Sequence, residues 1–348
     1  MALCINRRTV GWLLFGLLLS GQGSLNAQGA KTAFEISATK FLLGTQVDIT
    51  VFTGDVQAGR EACYAAFKEI ERVERRLSSH LETSEIAAIN REAALRPVRV
   101  SGETFSILTR ALKYSRTFNG LFDVTIGPLS REWGFNGSDA IQPPDSLRIQ
   151  ALLRLVNYRN MLLNHADSTV FFAQKGMRID LGGIAKGYAI DRAAKILKDR
   201  GIGSFLINAG GDIYASGRKP DGSKWIIGIK HPRKPQALLA AFELSDFAVA
   251  TSGDYERFVI VRGKRYHHIL DPRTGYPATG SQSATVLAPT AEKADVLATY
   301  LFILGFSAFQ DAFPHPAPPA LLVDASGKVY YSPELKKGYH LRFFEEHQ

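Results

Sequence analysis

Strand-like and helix-like patterns alternate along the chain from about Ile36 onward, and this alternation limits the folds open to it. The stretch "GTQVDITVF" (residues 44–52) alternates polar and apolar side chains, as a half-buried strand does. The next segment repeats its apolar residues at helical spacing instead: Phe67, Ile70, Val73 and Leu77. Because 348 residues with 45% hydrophobic content can bury a sizeable core, the pattern predicts an α+β or mixed α/β fold.

Later segments continue the alternation. Further strands are predicted for "STVFFA", "GMRID", "GSFLINAG", "WIIGIK", "SATVLA", "PALLVD" and "KVYYSP". Further helices are predicted near Ser84, over Thr104–Phe118, after Gly183 and over Glu292–Leu304. The polar stretch "SDAIQPPDS" (residues 138–146) predicts a surface loop, and "DASG" (residues 324–327) predicts a hairpin turn.

The N-terminal 27 residues are predicted to be a secretory signal peptide, and residues 33–345 to form the folded domain. Arg7 and Arg8 precede an apolar run, "VGWLLFGLLLSG", that is too short to span a membrane comfortably. Small residues then offer a cleavage point after Ala27. An uncleaved membrane anchor is the alternative. Beyond this leader only Cys63 remains, so we expect it to pack as a small apolar residue without a disulfide.

The net charge of +9 indicates an anionic partner. No long run of lysine and arginine occurs, which argues against nucleic acid. A small molecule that carries phosphate fits an exported protein better.

The segment "RIDLGGIAKGYAIDRAAKIL" (residues 178–197) predicts a strand that ends at Asp180, a turn at Gly182 and Gly183, and then a helix. Such a turn presents backbone N–H groups to an anion. Lys186 would oppose the helix dipole in the first helical turn, which indicates a phosphate nearby. A plain strand–helix connection with a surface lysine is the alternative.

Asp295 and Thr299 are four residues apart in a predicted helix and therefore share a face. A carboxylate and a hydroxyl, joined by a backbone carbonyl, suit a hard cation such as Mg²⁺. The alternative is an exposed aspartate beside a threonine that bonds its own helix backbone.

Two glycine-containing segments allow structural interpretations. In "INAGGDIYASG" (residues 207–217), Gly210 and Gly211 favour a hairpin turn, although they also permit close approach of a ligand. In "TFNGLFDVTIGPLSREWGF" (residues 117–135), Asp123 follows a glycine turn, and Trp133 and Phe135 are candidates for core packing.

The stretch "YHHILDPRTGYP" (residues 266–277) places two histidines before a strong turn sequence. Histidine titrates nearest to neutral pH, so His267 or His268 is a candidate general base. A structural histidine at a strand end is the alternative.

Taken in order, these motifs resemble the ApbE family of FAD:protein FMN transferases. The resemblance includes "GTQVDITV", "SSHLETSEIAAIN", "DLGGIAKGYAID", "NAGGDIYASG", "ATSGDYER" and "TAEKADVLAT", and it covers nearly all of the mature chain. It implies an ApbE-like fold with mixed sheets flanked by helices and an FAD cleft between subdomains. It also implies Mg²⁺-dependent transfer of the FMN half of FAD to a threonine or serine hydroxyl of an acceptor protein, through a phosphoester bond and with release of AMP.

The resemblance also assigns roles to individual residues. It implies contacts with FAD from Leu43, His80, Leu121, Phe122, Asp123, Asp180, Lys186 and Ile269. It implies Mg²⁺ ligands at Asp295 and Thr299 and at the backbone carbonyls of Gly183 and Ala298. His268 matches the catalytic histidine. Leu43 and His80 depart from the family pattern, which usually has a methionine and an aromatic residue at these positions.

The acceptor implied by the resemblance is a membrane-associated or exported redox protein, with the enzyme itself in the periplasm. Three alternatives remain open on the same residues, and the ordered motif set argues against one of them, a phosphate-binding structural module. The protein would hydrolyse FAD to FMN and AMP if water replaced the acceptor hydroxyl. It would only bind flavin if the site were inactive, although the presence of His268, Asp295 and Thr299 argues against this.

Overall fold

The computed structural model describes residues 33–135, 143–313 and 317–344. The predicted signal peptide and most of the "SDAIQPPDS" stretch lie outside these residues. Within the described ranges, no helix is both long and apolar enough to cross a membrane.

Strands and helices alternate as the sequence predicts. The strands are β1 Phe34–Leu42, β2 Thr45–Thr53, β3 Val98–Arg99, β4 Met161–Asn164, β5 Thr169–Phe172, β6 Ser204–Ala209, β7 Asp212–Ser216, β8 Trp225–Lys230, β9 Leu238–Leu244, β10 Phe247–Gly253, β11 Phe258–Val261, β12 Lys264–His267, β13 Ser281–Ala288, β14 Ala320–Asp324, β15 Val329–Tyr331 and β16 Arg342–Phe343. The helices are α1 Val56–Leu77, α2 Glu85–Glu92, α3 Gly102–Thr117, α4 Gly127–Trp133, α5 Ser146–Leu153, α6 Ala185–Asp199, α7 Ala291–Leu304, α8 Phe306–Asp311 and α9 Pro333–Gly338.

The largest sheet in the described part of the chain has eight strands, in the order β1-β2-β6-β7-β10-β13-β14-β15. Smaller sheets have the orders β16-β9-β8, β3-β5-β4 and β11-β12. The α+β class is confirmed. The strand directions differ from the mixed sheets expected, because each strand pair within the described ranges is antiparallel. Tight turns between consecutive strands, such as β1–β2, β6–β7 and β14–β15, require this direction.

The large sheet lies between two hydrophobic layers. One face of its strands packs in the main core with α1, α6 and α7, and Ala284 and Val286 of β13 belong to that core. The other face packs in a second core with β8 and β9, to which Leu287 of the same strand belongs. Every residue of β13 is therefore buried, which explains its nearly continuous apolar and small-residue sequence.

The amphipathic face predicted for α1 is confirmed. The predicted apolar positions of α1 are all buried, and so is Cys63, whose thiol pKa burial raises to about 12. The predicted start of α2 is confirmed by Ser84, whose Oγ accepts a hydrogen bond from the Ala87 N–H at 2.9 Å.

The strand predicted for "GMRID" is wrong: these residues form the end of a turn and an irregular segment. The side chain of Asn90 takes the place of a strand partner, because its Oδ1 accepts from the Ile179 N–H at 2.7 Å and its Nδ2 donates to the Ile179 carbonyl at 2.9 Å. The Asp180 N–H donates to the Val124 carbonyl at 2.8 Å. The backbone groups of Ile179 and the N–H of Asp180 therefore have hydrogen-bond partners without a neighbouring strand.

Candidate active site

A cleft of about 970 Å³ lies between the large sheet, the N-terminal end of α6 and the segment that follows β12. A cleft of this size suits a large organic ligand. Predicted site residues line it from distant parts of the chain: Leu43, His80, Leu121, Phe122, Asp123, Asp180, Gly183, Lys186, His268, Ile269, Asp295 and Thr299. Ala298 is the exception, since it lies in the core behind the cleft with 1% exposure.

The turn before α6 packs against α7 at one end of the cleft. Asp180 Oδ1 accepts from the Gly182 N–H at 2.9 Å, which closes the turn. A Cβ atom added to Gly183 would lie 3.1 Å from Phe122 Cε2 and 3.3 Å from Thr299 Oγ1. A side chain at this position would therefore press on Phe122 and Thr299, so glycine favours the close approach of the backbone to the threonine hydroxyl.

Asp295 is held at the contact between α6 and α7. Its Oδ2 accepts from the Gly187 N–H at 3.1 Å, and the residue is only 6% exposed. This burial contradicts the alternative of an exposed aspartate. Thr299 Oγ1 lies 3.4 Å from Ser252 Oγ of β10, so the threonine faces the sheet across the cleft.

Lys186 has a protein partner that sequence reasoning missed. Its Nζ lies 2.9 Å from Oδ2 of Asp212, the first residue of β7, whose side chain is 1% exposed. Burial opposes the lysine charge, but the carboxylates of Asp212 and Asp295 outweigh burial and raise the pKa of Lys186. The hairpin predicted at Gly210 and Gly211 is confirmed, and the aspartate that follows these glycines was the available signal.

The site has an excess of buried negative charge. Burial, followed by the charge of Asp212, raises the pKa of Asp295 to about 8, while Lys186 opposes the shift. The ammonium group of Lys186 thus lies near two buried carboxyl groups, those of Asp212 and Asp295. A bound cation would offset the remaining charge.

The oxygen atoms available here fit a hard cation. The carboxylate of Asp295, the hydroxyl of Thr299 and the backbone next to it at Gly183 are the donor type that Mg²⁺ prefers. In the described ranges, no group of three or more histidine, cysteine, aspartate or glutamate side chains could hold a metal. Mg²⁺ commonly binds one or two carboxylates together with substrate phosphates, so this sparse set is suitable.

His268 lies on the cleft wall with a defined tautomer. Its Nδ1 is 3.3 Å from the Arg257 carbonyl oxygen, and a carbonyl only accepts, so Nδ1 carries the proton. The unprotonated Nε2 is then free to accept one. Burial, together with the charges of Arg257, His267 and Lys186, lowers the pKa of His268 to about 3. The side chain is therefore neutral near pH 7, as a general base requires.

The side chain of His267 is buried and has a structural role instead. It is 4% exposed, its Nε2 donates to the Ala278 carbonyl at 2.7 Å, and its Nδ1 accepts from the Ile269 N–H at 3.3 Å. Both ring nitrogens are therefore used within the protein. The turn that follows is also held, since Trp133 Nε1 donates to the Gly275 carbonyl at 2.8 Å.

Three of the cleft residues predicted to contact the ligand differ in their surroundings. Both carboxylate oxygens of Asp123 are occupied, by Thr125 and by the Tyr158 N–H. The structure thus gives Asp123 a role in holding its loop. Leu43 has a φ of 55° in the β1–β2 turn, and its N–H donates to Glu74 Oε1 at 2.9 Å. His80 is exposed at the rim.

Comparison with known proteins gives one consistent result. A model of the ApbE family matches residues 43–317. An FAD:protein FMN transferase of Klebsiella pneumoniae is 35% identical over 273 residues, which cover 77% of this chain and 82% of that protein. One of the same name from Treponema pallidum is 34% identical over 312 residues, which cover 83% of each.

Solved structures agree with the sequence matches. The crystal structure of the ApbE protein of Thermotoga maritima has a TM-score of 0.81 and 35% identity, and the match covers 87% of this chain and 98% of that one. The flavin transferase ApbE of Vibrio cholerae has a TM-score of 0.76 and 28% identity, with coverage of 87% and 99%.

Proposed function

Since the chain belongs to the ApbE family and is an FAD:protein FMN transferase, we propose that it joins FMN to a threonine or serine hydroxyl with the help of Mg²⁺. One observation carries the proposal: a neutral histidine, a lysine and a sparse oxygen-donor set line the same cleft. Transfer of a phosphoryl group needs these three elements, which are a base, positive charge and a site for a metal.

In the proposed step, the acceptor hydroxyl oxygen forms a bond to the phosphorus of the FMN half of FAD. The bond from that phosphorus to the oxygen bridging to AMP breaks, and AMP leaves with the bridging oxygen. Nε2 of His268 accepts the hydroxyl proton. A positioned base of this kind contributes about 10²–10⁴-fold to the rate.

The second requirement is to neutralise the negative charge of the pyrophosphate. Lys186, held by Asp212 at 2.9 Å, supplies a fixed positive charge. Mg²⁺, when bound, would neutralise phosphate oxygens and polarise the phosphorus. The residues that would hold it are Asp295, Thr299 and the carbonyls of Gly183 and Ala298. The phosphates of FAD would complete its coordination.

FAD also needs walls for its two ring systems. The remaining cleft residues assigned to it are Leu43, His80, Leu121, Phe122, Asp123, Asp180 and Ile269. Leu121 and Phe122 offer apolar surface for a flavin ring. Asp123 contributes by fixing the loop that carries them.

The acceptor and the compartment are also proposals. The basic, apolar and small residues of the first 27 positions support export to the periplasm. An exported or membrane-associated redox protein with an exposed threonine or serine is then the acceptor within reach.

The direct test combines the protein with FAD, Mg²⁺ and a candidate acceptor domain. Mass spectrometry should find one FMN added to the acceptor, and chromatography should find an equal amount of AMP. Free FMN beside an unmodified acceptor would instead identify a hydrolase. A flavin-loaded protein without product would identify a binding protein.

Asp295→Ala tests the metal assignment in the same assay. We expect turnover to fall at least tenfold and the Mg²⁺ concentration needed for half activity to rise, because the one carboxylate ligand is gone. Exposed Asp199→Asn is the control and should behave as wild type. Unchanged Mg²⁺ dependence in Asp295→Ala would rule out this site.

A further inference from the structure

Asp191 belongs to neither the cleft lining nor the roles assigned above, yet it contacts the helix that carries the proposed metal ligands. It projects from α6, and its Oδ1 accepts from the Ala291 N–H at 2.7 Å. Its Oδ2 accepts from the Glu292 N–H at 2.9 Å. These two groups are the first free N–H donors of α7, so a side chain of α6 caps α7.

The remaining donors of that helix turn are satisfied locally. Thr290 Oγ1 accepts from the Lys293 N–H at 3.2 Å, and the Thr290 carbonyl accepts from the Ala294 N–H at 3.0 Å. The carboxylate of Glu292 is bound by Arg110, with Nε–Oε1 and Nη2–Oε2 distances of 2.7 Å each. Asp191 is therefore the group that joins the start of α7 to α6.

The two helices also meet backbone to backbone beside the site. The Gly187 N–H donates to Asp295 Oδ2 at 3.1 Å. A Cβ atom at Gly187 would lie 2.2 Å from the Ala291 carbonyl oxygen. The contact leaves no free space, so the cap by Asp191 and the position of Asp295 belong to one rigid junction.

The oxygen donors of the proposed metal site lie on both sides of this junction. Gly183 precedes α6, whereas Asp295 and Thr299 lie on α7. We propose that Asp191 is a positioning residue that holds the first turn of α7 on α6 and thereby sets the spacing of the metal ligands. The inference rests on the magnesium site proposed above.

Asp191→Asn is the informative variant. Asparagine keeps the size, but its amide NH₂ would face a backbone N–H at one of the two positions. Asp199→Asn is the matched control, because Asp199 lies on the same helix, is exposed and bonds only Lys195 among the contacts of the described residues.

Three measurements separate a positioning role from a general loosening of the fold. Binding of Mn²⁺ to the FAD-loaded protein, followed by electron paramagnetic resonance, should weaken about 10–100-fold in Asp191→Asn. The affinity for FAD without metal should stay within about twofold, since Asp191 touches no cleft surface. Hydrogen exchange at the amides of Ala291 and Glu292 should speed up. The control should match wild type in all three.

Each outcome decides the inference. Wild-type Mn²⁺ affinity in folded Asp191→Asn would overturn it, and so would an equal loss in Asp199→Asn. If Asp191→Asn does not fold, Gly187→Ala replaces it, because the added Cβ must displace α7. Wild-type Mn²⁺ affinity in that variant would also overturn the inference. FAD-loaded wild-type protein that binds no Mn²⁺ would overturn both this inference and the magnesium site, while FMN transfer in the presence of a chelator would show that the transferase assignment survives.

Discussion

His267 and His268 are neighbours in sequence, but their side chains meet different surroundings. His267 uses both ring nitrogens within the protein. Among the residues that the structure describes, His268 bonds only through Nδ1, toward the Arg257 carbonyl, and leaves Nε2 as an acceptor on the cleft. A base needs a free lone pair, so only the second histidine is suited to take a proton.

Replacing His268 with alanine should separate chemistry from binding. We expect His268→Ala to keep its FAD affinity within a few fold and to transfer FMN about 10²–10⁴-fold more slowly. Single-turnover assays with excess enzyme measure the chemical step. His267→Asn is the neighbouring control, with an expected loss of roughly 1–2 kcal/mol of stability but retained transfer. A His268→Ala enzyme with the wild-type rate would exclude the base assignment.

The lowered pKa of His268 has a consequence for stability. The unfolded chain protonates this histidine near pH 6.5, whereas the folded protein does so only near pH 3. Between these values the unfolded state binds more protons, so the free energy of unfolding falls as the pH falls, by at most about 1.4 kcal/mol per pH unit.

Urea unfolding at pH 7.5 and pH 5 tests this sign. The loss of stability between the two pH values should be smaller in His268→Ala than in wild type, because the variant lacks the group. An equal loss in the two proteins would mean that His268 titrates normally in the folded state.

Asn90 on α2 illustrates how one element can supply the hydrogen bonds of another. Its side chain bonds both the N–H and the carbonyl of buried Ile179. The segment that leads to Asp180 is thereby held in place without a partner strand.

Asn90→Ala should cost roughly 2 kcal/mol, since two backbone groups lose their partners away from water. FAD affinity should fall as well, because Asp180 and its turn lose their support. Asn164→Ala is the control: this exposed asparagine accepts one bond from the Ala166 N–H, and we expect a change of at most about 0.5 kcal/mol. A similar small effect in Asn90→Ala would refute the role of the side chain.

The cleft draws its walls from segments between Phe41 and Ile303, which spans most of the described chain. A ligand bound there contacts the large sheet and the helices α1, α6 and α7. Binding should therefore stabilise the molecule as a unit rather than one part of it.

At a concentration 100 times its dissociation constant, FAD should add about 2.7 kcal/mol to the free energy of unfolding. Calorimetry should record this as a rise of a few degrees in Tm. Mg²⁺ added with FAD should raise Tm further in wild type but not in Asp295→Ala. If FAD left Tm unchanged in wild type, the cleft would not be its binding site.

The sequence alone determined the local structure and the order of the motifs. Helix and strand periods depend on neighbouring residues, so the buried face of α1, the cap at Ser84 and the C-terminal hairpin followed from pattern. The ordered motifs also sufficed to indicate the ApbE family, which the comparisons confirmed.

Only the tertiary structure decided which distant groups meet. Asn90 replaces a strand partner of Ile179, Asp212 holds Lys186, and Asp191 caps α7. Each contact joins residues far apart in sequence, and none leaves a periodic signal. These contacts form because the fold brings the groups together. The same groups are removed from water, so each needs a hydrogen-bond partner within the protein.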